Sequence, residues 1–212
     1  MNLLRDAALS VAFTFSFVGC STTGGTIGGL LPAPKVLKGE IKDSVYIAQD
    51  QSFSVAVPHK EGSYEYKYMQ VKEQYSEHGA YVSFGPAAFD QNIYRVETAK
   101  RITPDSASVK FDDAARQIVE NYKAQLQKGY GSAIRETESR QERINGRNAR
   151  YWNLSQVVPA GRLITNKPAT LTHEVYVIDF DKSAAVVWVE FREAARAPAI
   201  ASRAFAESVV IR

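Results

Sequence analysis

Hydrophobic and polar residues alternate with a period of two over much of the chain, and this pattern predicts strands. The segment 44–58, SVYIAQDQSFSVAVP, alternates on both sides of a polar turn and predicts a pair of strands. Turn residues separate the later alternating segments from one another. The further strands predicted in this way are 63–71, 80–84, 93–100, 132–142, 147–157, 172–180 and 185–193.

Two segments follow a helical period instead. Between residues 111 and 128 the apolar side chains recur every three or four positions, which is typical of a helix with one buried face. The last segment, APAIASRAFAESVVIR, places Pro198 at a helix start and has a mostly apolar stripe that ends near Val209. The pattern therefore predicts one helix in the middle of the chain and one at its end.

Short turns between the strands set the fold class. Asn145-Gly146 separates two of the predicted strands, and Asp181-Lys182-Ser183 separates two others. Turns of this kind join antiparallel neighbours. We therefore expect an α+β fold over residues 44–212, a single domain with a mostly antiparallel sheet covered by helices in an α/β/α sandwich.

A different pattern opens the chain and contains its one cysteine, Cys20. Arg5 precedes an apolar run from Ala7 to Val18, as in export signals. The stretch Phe17-Val18-Gly19-Cys20 resembles the processing site of bacterial lipoproteins, although an aliphatic residue is usual where Phe17 stands. An ordinary secretory signal and a buried apolar segment are the alternatives.

The lipoprotein resemblance implies a cellular location. It implies that residues 1–19 are removed and that Cys20 is acylated, which attaches the protein to a membrane. Ser21 stands where inner-membrane lipoproteins commonly carry Asp, so the implied site is the outer membrane, with the domain facing the periplasm. Residues 20–43, rich in glycine near their start, are expected to form a flexible tether.

The domain itself resembles the PsbP-like and DcrB-like group of exported proteins. The residues that carry this resemblance are Phe53 to Pro58, the helix 111–128, the turn at Ile144-Asn145-Gly146, and the final helix with Phe205 and Ser208. A tryptophan that often follows the proline is replaced here by His59. The resemblance implies a non-enzymatic helper or binding role.

Composition and motifs give little sign of chemistry. The formal net charge is +3, which does not indicate nucleic-acid binding. His59, His78 and His173 lie in separate segments without metal-ligand spacing, and the GxSxG nucleophile motif is absent. We therefore expect no catalytic residues, no metal and no cofactor.

Two predicted surface features could bind a partner. Tyr64, Tyr66 and Tyr68 form a row that could stack on sugars or hold a protein, or could simply pack under a helix. Four arginines surround the predicted turn at 145–146 and could meet anionic lipid or polymer, or could simply be solvated beside the interleaved glutamates. These arginines are Arg140, Arg143, Arg147 and Arg150.

The sequence favours one function and leaves two alternatives. The favoured function is a membrane-anchored, non-catalytic periplasmic lipoprotein that binds a protein or polymer partner in envelope structure or assembly. A carrier of a small apolar ligand, held between sheet and helix, is the first alternative. The second is an envelope hydrolase whose site is assembled from residues that are distant in sequence.

Overall fold

The computed structural model describes residues 37–76, 79–85, 92–100, 111–161, 167–181, 183–192 and 200–212. The signal segment, Cys20 and most of the predicted tether lie outside these ranges. No helix within them is both long enough and apolar enough to span a bilayer.

The strands are β1 Glu40–Lys42, β2 Val45–Ile47, β3 Phe53–Ala56, β4 Gln70–Ser76, β5 Gly79–Gly85, β6 Ile93–Lys100, β7 Ile134–Ile144, β8 Arg147–Val158, β9 Ala169–Asp179, β10 Ser183–Arg192 and β11 Val210–Ile211. The helices are α1 Tyr64–Tyr68, α2 Phe111–Tyr130 and α3 Ser202–Glu207.

The strands form two sheets. The larger has the order β4-β5-β6-β10-β9-β8-β7, and the smaller has the order β1-β2-β3-β11. All strand pairs in the described residues are antiparallel, which confirms the predicted sheet type. Asn145 and Gly146 both have positive φ, at 50° and 79°, as a tight turn between β7 and β8 requires.

The central strands of the larger sheet are buried on both faces. Four consecutive buried residues, Val175 to Ile178, occupy β9, and Ala185 to Glu190 in β10 are buried without a break. On one face, α2 covers an aromatic cluster that includes Trp152 and Trp188. On the opposite face, the smaller sheet and α3 pack against the other core cluster. Each face of the sheet therefore has its own hydrophobic core.

The structure corrects the predicted layers. One face of the larger sheet is covered by a long helix, as expected, but the other is covered mainly by a small sheet, with only the short α3 beside it. The cause is the amphipathic pattern of the N-terminal strands, since β2 and β3 bury Tyr46, Phe53 and Val55 against the larger sheet. The α+β class is confirmed, and the α/β/α layering holds for one face only.

Three element boundaries also differ from the prediction. Glu40–Lys42, expected in the tether, is strand β1 and pairs with β2. The segment predicted as strand 63–71 begins as helix α1, and the strand starts only at Gln70. Helix α3 ends at Glu207, because the chain then extends into β11 beside β3. Pro198, the predicted helix start, lies outside the described residues.

A partly buried hydrogen-bond cluster joins the two sheets at the β4 edge, and we call Glu73, Tyr46 and Tyr75 the carboxylate clasp. Oε1 of Glu73 accepts from the hydroxyl of Tyr46 at 2.5 Å and from that of Tyr75 at 3.1 Å. The same carboxylate accepts the backbone N–H groups of Lys38 and Gly39 at 2.7 and 2.8 Å. The carboxylate clasp therefore holds the start of the folded domain against β4.

The pKa of Glu73 is lowered from 4.5, because the hydrogen bonds from Tyr46, Lys38 and Gly39 outweigh the opposing effect of burial. Ionised Glu73 therefore contributes stability above its unfolded-state pKa, and that contribution is lost as pH falls through the folded-state value.

We expect Glu73→Gln to lower the free energy of unfolding by about 1–3 kcal/mol at pH 7, because hydrogen bonds to a charged group are lost. The difference from the wild type should shrink as the pH falls below 4.5, the ordinary pKa of this carboxyl. Urea unfolding at several pH values measures it, with the exposed Glu61→Gln as control. A pH-independent difference would contradict the role of the ionised carboxylate.

Candidate functional site

The predicted tyrosine row is not a row in the structure. Helix α1 begins after Ser63, whose side chain accepts the N–H of Tyr66 at 3.1 Å and caps the helix. A helix separates residues two apart onto different sides, so Tyr66 turns toward the core cluster. Tyr64 and Tyr68 remain together at the surface, with ring centroids 4.5 Å apart. Of the three predicted tyrosines, only Tyr64, which is exposed, and Tyr68, which is partly exposed, therefore lie side by side.

The four arginines of the β7–β8 hairpin lie on both faces of the sheet. Arg140 lies opposite Tyr151 and stacks over its ring at 3.9 Å, on the face that carries α3. Arg150 lies opposite Gln141 on the α2 face, and its Nε is 3.8 Å from Asp112. The predicted basic cluster is thus divided, and it does not form a single patch.

Each of the hairpin arginines also has an acidic or carbonyl partner. Arg140 contacts Glu138 and Glu142. Arg147 lies 3.7 Å from Asp181, and Arg143 donates to the carbonyl of Gly146 at 3.2 Å. Most of these groups are solvent-exposed, although Glu142 is only 9% exposed, and exposed pairs contribute little stability. They cancel most of the local charge, so the hairpin offers a mixed polar surface and not a basic one.

An open groove of about 520 Å³ lies between the first turn of α2 and the hairpin. Across it, Nε2 of Gln141 donates to Asp112 at 3.0 Å. The lining combines one aromatic ring with carboxylate, amide and guanidinium groups. Its residues are Phe111, Asp112, Gln141, Glu142, Arg143, Asn148 and Ala149. Sequence reasoning missed this groove, because its two halves are about thirty positions apart and share no motif.

A buried ionic cluster lies beneath α2, on the face of the sheet that this helix covers. Glu190 and His173 are directly opposite each other on β10 and β9, and both are fully buried. Oε2 of Glu190 lies 3.9 Å from Nδ1 of His173 and 4.0 Å from the guanidinium of Arg95. Arg95 in turn donates to the hydroxyl of Tyr122 on α2 at 2.8 Å. The cluster therefore links three strands to the helix.

Burial sets the protonation states around this cluster. It lowers the pKa of His173 to about 4, and Arg95 adds to this while Glu190 opposes it. His173 is therefore neutral at pH 7. Burial also raises the pKa of Glu97, on the same face of β6, to about 8. For Arg95, burial acts to lower the pKa, but Tyr122, Tyr81 and Glu190 raise it above its ordinary value.

The space next to this cluster is too small for a substrate. The cavity between α2 and the sheet measures about 20 Å³ and is lined by Tyr81, Arg95 and Trp188, among others. That volume suffices for about one water molecule. Within the described residues, His173 and Glu190 are both fully buried, and we expect the cluster to act as an internal contact between helix and sheet.

The described residues offer little to a metal ion. Within them, no three His, Cys, Asp or Glu side chains converge in a way that could hold one. His59 is buried and lies edge-on to the ring of Tyr94, with centroids 6.1 Å apart. His78 lies outside the described residues. The surfaces to consider for binding are thus the tyrosines and arginines that the sequence predicted and the groove at the hairpin.

Comparisons with known proteins identify structural likenesses only. No protein-family model matches the chain, and none of the curated proteins matches it. The solution structure of cyanobacterial PsbP, CyanoP, from Synechocystis sp. PCC 6803 is similar over 82% of this chain and 96% of that chain, with 8% identity and a TM-score of 0.47. A crystal structure of a protein from Bacteroides thetaiotaomicron is similar over 83% of this chain, with 12% identity and a TM-score of 0.44.

These likenesses are remote. This chain spans about half, 49%, of the Bacteroides protein. A PsbP protein, from the group that the sequence resembles, is thus among the structures similar to this chain. At these scores and identities, neither likeness carries a conclusion about function.

Removing only one charge of the buried cluster should destabilise the fold. We expect Arg95→Met to lower the free energy of unfolding by about 3–5 kcal/mol, because Glu190 stays buried without its cation. The double variant Arg95→Met/Glu190→Leu should regain most of that loss, since both charges are gone. Urea unfolding measures both.

Arg147→Met is the control for this cycle, since its exposed ion pair should be worth less than about 1 kcal/mol. Losses from Arg95→Met and Glu190→Leu that simply add in the double variant would show that the two charges are not coupled.

Proposed function

We propose that the protein is a lipid-anchored, non-catalytic domain of the cell envelope that binds a protein or polymer partner at the β7 edge of its larger sheet. Acylation of Cys20 supplies the anchor, the outer membrane is the proposed address, and the domain faces the periplasm. The PsbP-like assignment belongs to the same proposal and rests on the strand and turn pattern of the sequence. Sixteen residues separate Cys20 from Leu37, the first described residue. Fully extended, a segment of that length reaches roughly 60 Å.

The observation that carries the proposal is the open groove beside an exposed edge strand. β7 is eleven residues long and ends the larger sheet, and in the described residues it pairs with β8 alone. Its side chains from Arg135 to Gln141 are exposed. An edge of this kind offers backbone groups for strand addition, while the groove adds side-chain donors and acceptors.

The charges on β7 favour a specific contact with a partner over non-specific pairing of the edge strand. Three arginines and three glutamates alternate with polar residues along Ile134–Ile144. Charged side chains on edge strands disfavour pairing between copies of the same protein. A partner with complementary polar groups can still bind there, so the edge is suited to a specific contact.

The two alternative functions find less support in the same geometry. A carrier needs a ligand-sized space between sheet and helix, and the cavity at that interface measures about 20 Å³. A hydrolase needs accessible titratable groups that converge, whereas His173 and Glu190 are both fully buried. The groove at the hairpin fits a binding role better than either alternative.

Site-specific photo-crosslinking in intact cells tests the proposal. A photoreactive residue at Gln141, in the groove, should capture a discrete envelope partner. The same residue at Gln74, exposed on β4 at the opposite edge of the larger sheet, should not. Cys20→Ala should leave the membrane fraction and lose the cross-link, because the anchor no longer places the domain beside its partner.

Equal capture from both positions would contradict a binding edge at β7. A Cys20→Ala protein that stays in the membrane fraction would contradict the lipid anchor.

A further inference from the structure

A second surface is left unexplained by the proposed partner site. Among the described residues, the large hydrophobic side chains with the greatest exposure are Tyr64 at 60%, Val157 at 58% and Val210 at 51%. Tyr64 differs from the two valines because a second aromatic ring, that of Tyr68, lies against it. Lys67 is exposed on the same short helix, with Nζ 5.8 Å from the centre of the Tyr68 ring.

The chemistry of this surface is that of a membrane interface. Tyrosine has an apolar ring with a polar tip, and it is enriched where lipid chains meet head groups. Lysine extends an apolar stem along such a surface while its ammonium group stays in water. Two adjacent tyrosines beside a lysine therefore fit the head-group layer of a bilayer.

The position of this surface also indicates that a membrane is its partner. Helix α1 leads directly into β4, which is the edge strand opposite β7. Glu73 of β4 holds the backbone of Lys38 and Gly39, so the chain from Cys20 enters the domain along that strand. Gln70, the first residue of β4, lies three positions before Glu73, a distance of about 10 Å. The start of the domain and α1 therefore lie at one edge.

The surface at α1 and the groove at β7 therefore lie at opposite edges of the larger sheet. Six strand spacings of about 4.8 Å put roughly 29 Å between the β4 and β7 edges. A tether that enters at the β4 edge keeps α1 within reach of the membrane that holds it, and a contact at α1 would turn the groove at β7 away from that membrane. A tether of this length also raises the local concentration of lipid around α1, so a weak contact suffices.

We propose that Tyr64, Tyr68 and Lys67 form a contact with the phospholipid head groups of the membrane that holds the lipid anchor. This contact rests on the proposed acylation of Cys20, and it orients the domain so that the β7 edge faces a partner. The occupant is the bilayer surface, and a protein bound at α1 is the competing outcome in the test.

Fluorescence of a tryptophan placed on α1 tests the contact. Acylated Tyr64→Trp protein that begins at Cys20 is reconstituted in vesicles of phosphatidylethanolamine and phosphatidylglycerol whose acyl chains carry bromine. The native Trp152 and Trp188 are buried, with 1% and 3% exposure, and provide a constant background. The matched control is Val157→Trp, on β8, which lies five strands from β4 in the sheet.

We expect the emission of Tyr64→Trp to shift to the blue and to be quenched severalfold more than that of Val157→Trp. Adding Tyr68→Ser and Lys67→Ser to Tyr64→Trp should reduce the quenching. Flotation of the vesicles, measured in parallel, reports the anchor separately.

The outcomes distinguish this contact from the proposed function. Protein that floats with the vesicles but shows equal quenching at both positions overturns the membrane contact and leaves the anchor standing. Protein that does not float overturns both. A blue shift that requires added envelope proteins, and is absent with vesicles alone, assigns α1 to a protein partner and overturns the lipid contact.

Discussion

The fold depends on one constraint, which is that the central strands of the larger sheet are apolar on both faces. β9 and β10 bury consecutive residues, such as Val175-Tyr176-Val177-Ile178, so neither face of these strands can meet water. One face needs α2, and the other needs the small sheet with α3. Both covers bury most of the large hydrophobic side chains among the described residues, and the surfaces that we propose for binding lie at the two edges of the sheet.

The two edges differ in a way that suits a tethered protein. At β4, the carboxylate clasp of Glu73, Tyr46 and Tyr75 fixes the entry of the chain, and the tyrosine pair of α1 lies beside it. At β7, a charged strand and an open polar groove are exposed. The proposed anchor and lipid contact use the first edge, and the proposed partner uses the second. The covered interior takes part in neither of these proposed contacts, and we expect the buried ionic cluster to contribute to stability.

Local patterns predicted the elements where only neighbours in sequence matter. The Asn145-Gly146 turn and the helical spacing of Ala115, Val119 and Tyr122 are both found in the structure. The tyrosines at 64, 66 and 68 were misleading, since a spacing of two fits a strand, whereas the Ser63 cap starts a helix. The Arg95–Glu190–His173 cluster and the groove could not be found this way, because strand pairing brings together residues that are distant in sequence. The cover of one face by a small sheet depends on the same long-range packing.

The central claim is that the interior is sealed and that binding takes place at the edges. Hydrogen–deuterium exchange on the full-length protein tests it, by comparing amides of α2 between Ala115 and Leu126 with those of β9 and β10. A sealed interior predicts that α2 exchanges as slowly as these central strands, through global unfolding alone. If α2 instead exchanged much faster than the strands beneath it, the helix would open on its own, and that would contradict a sealed interior.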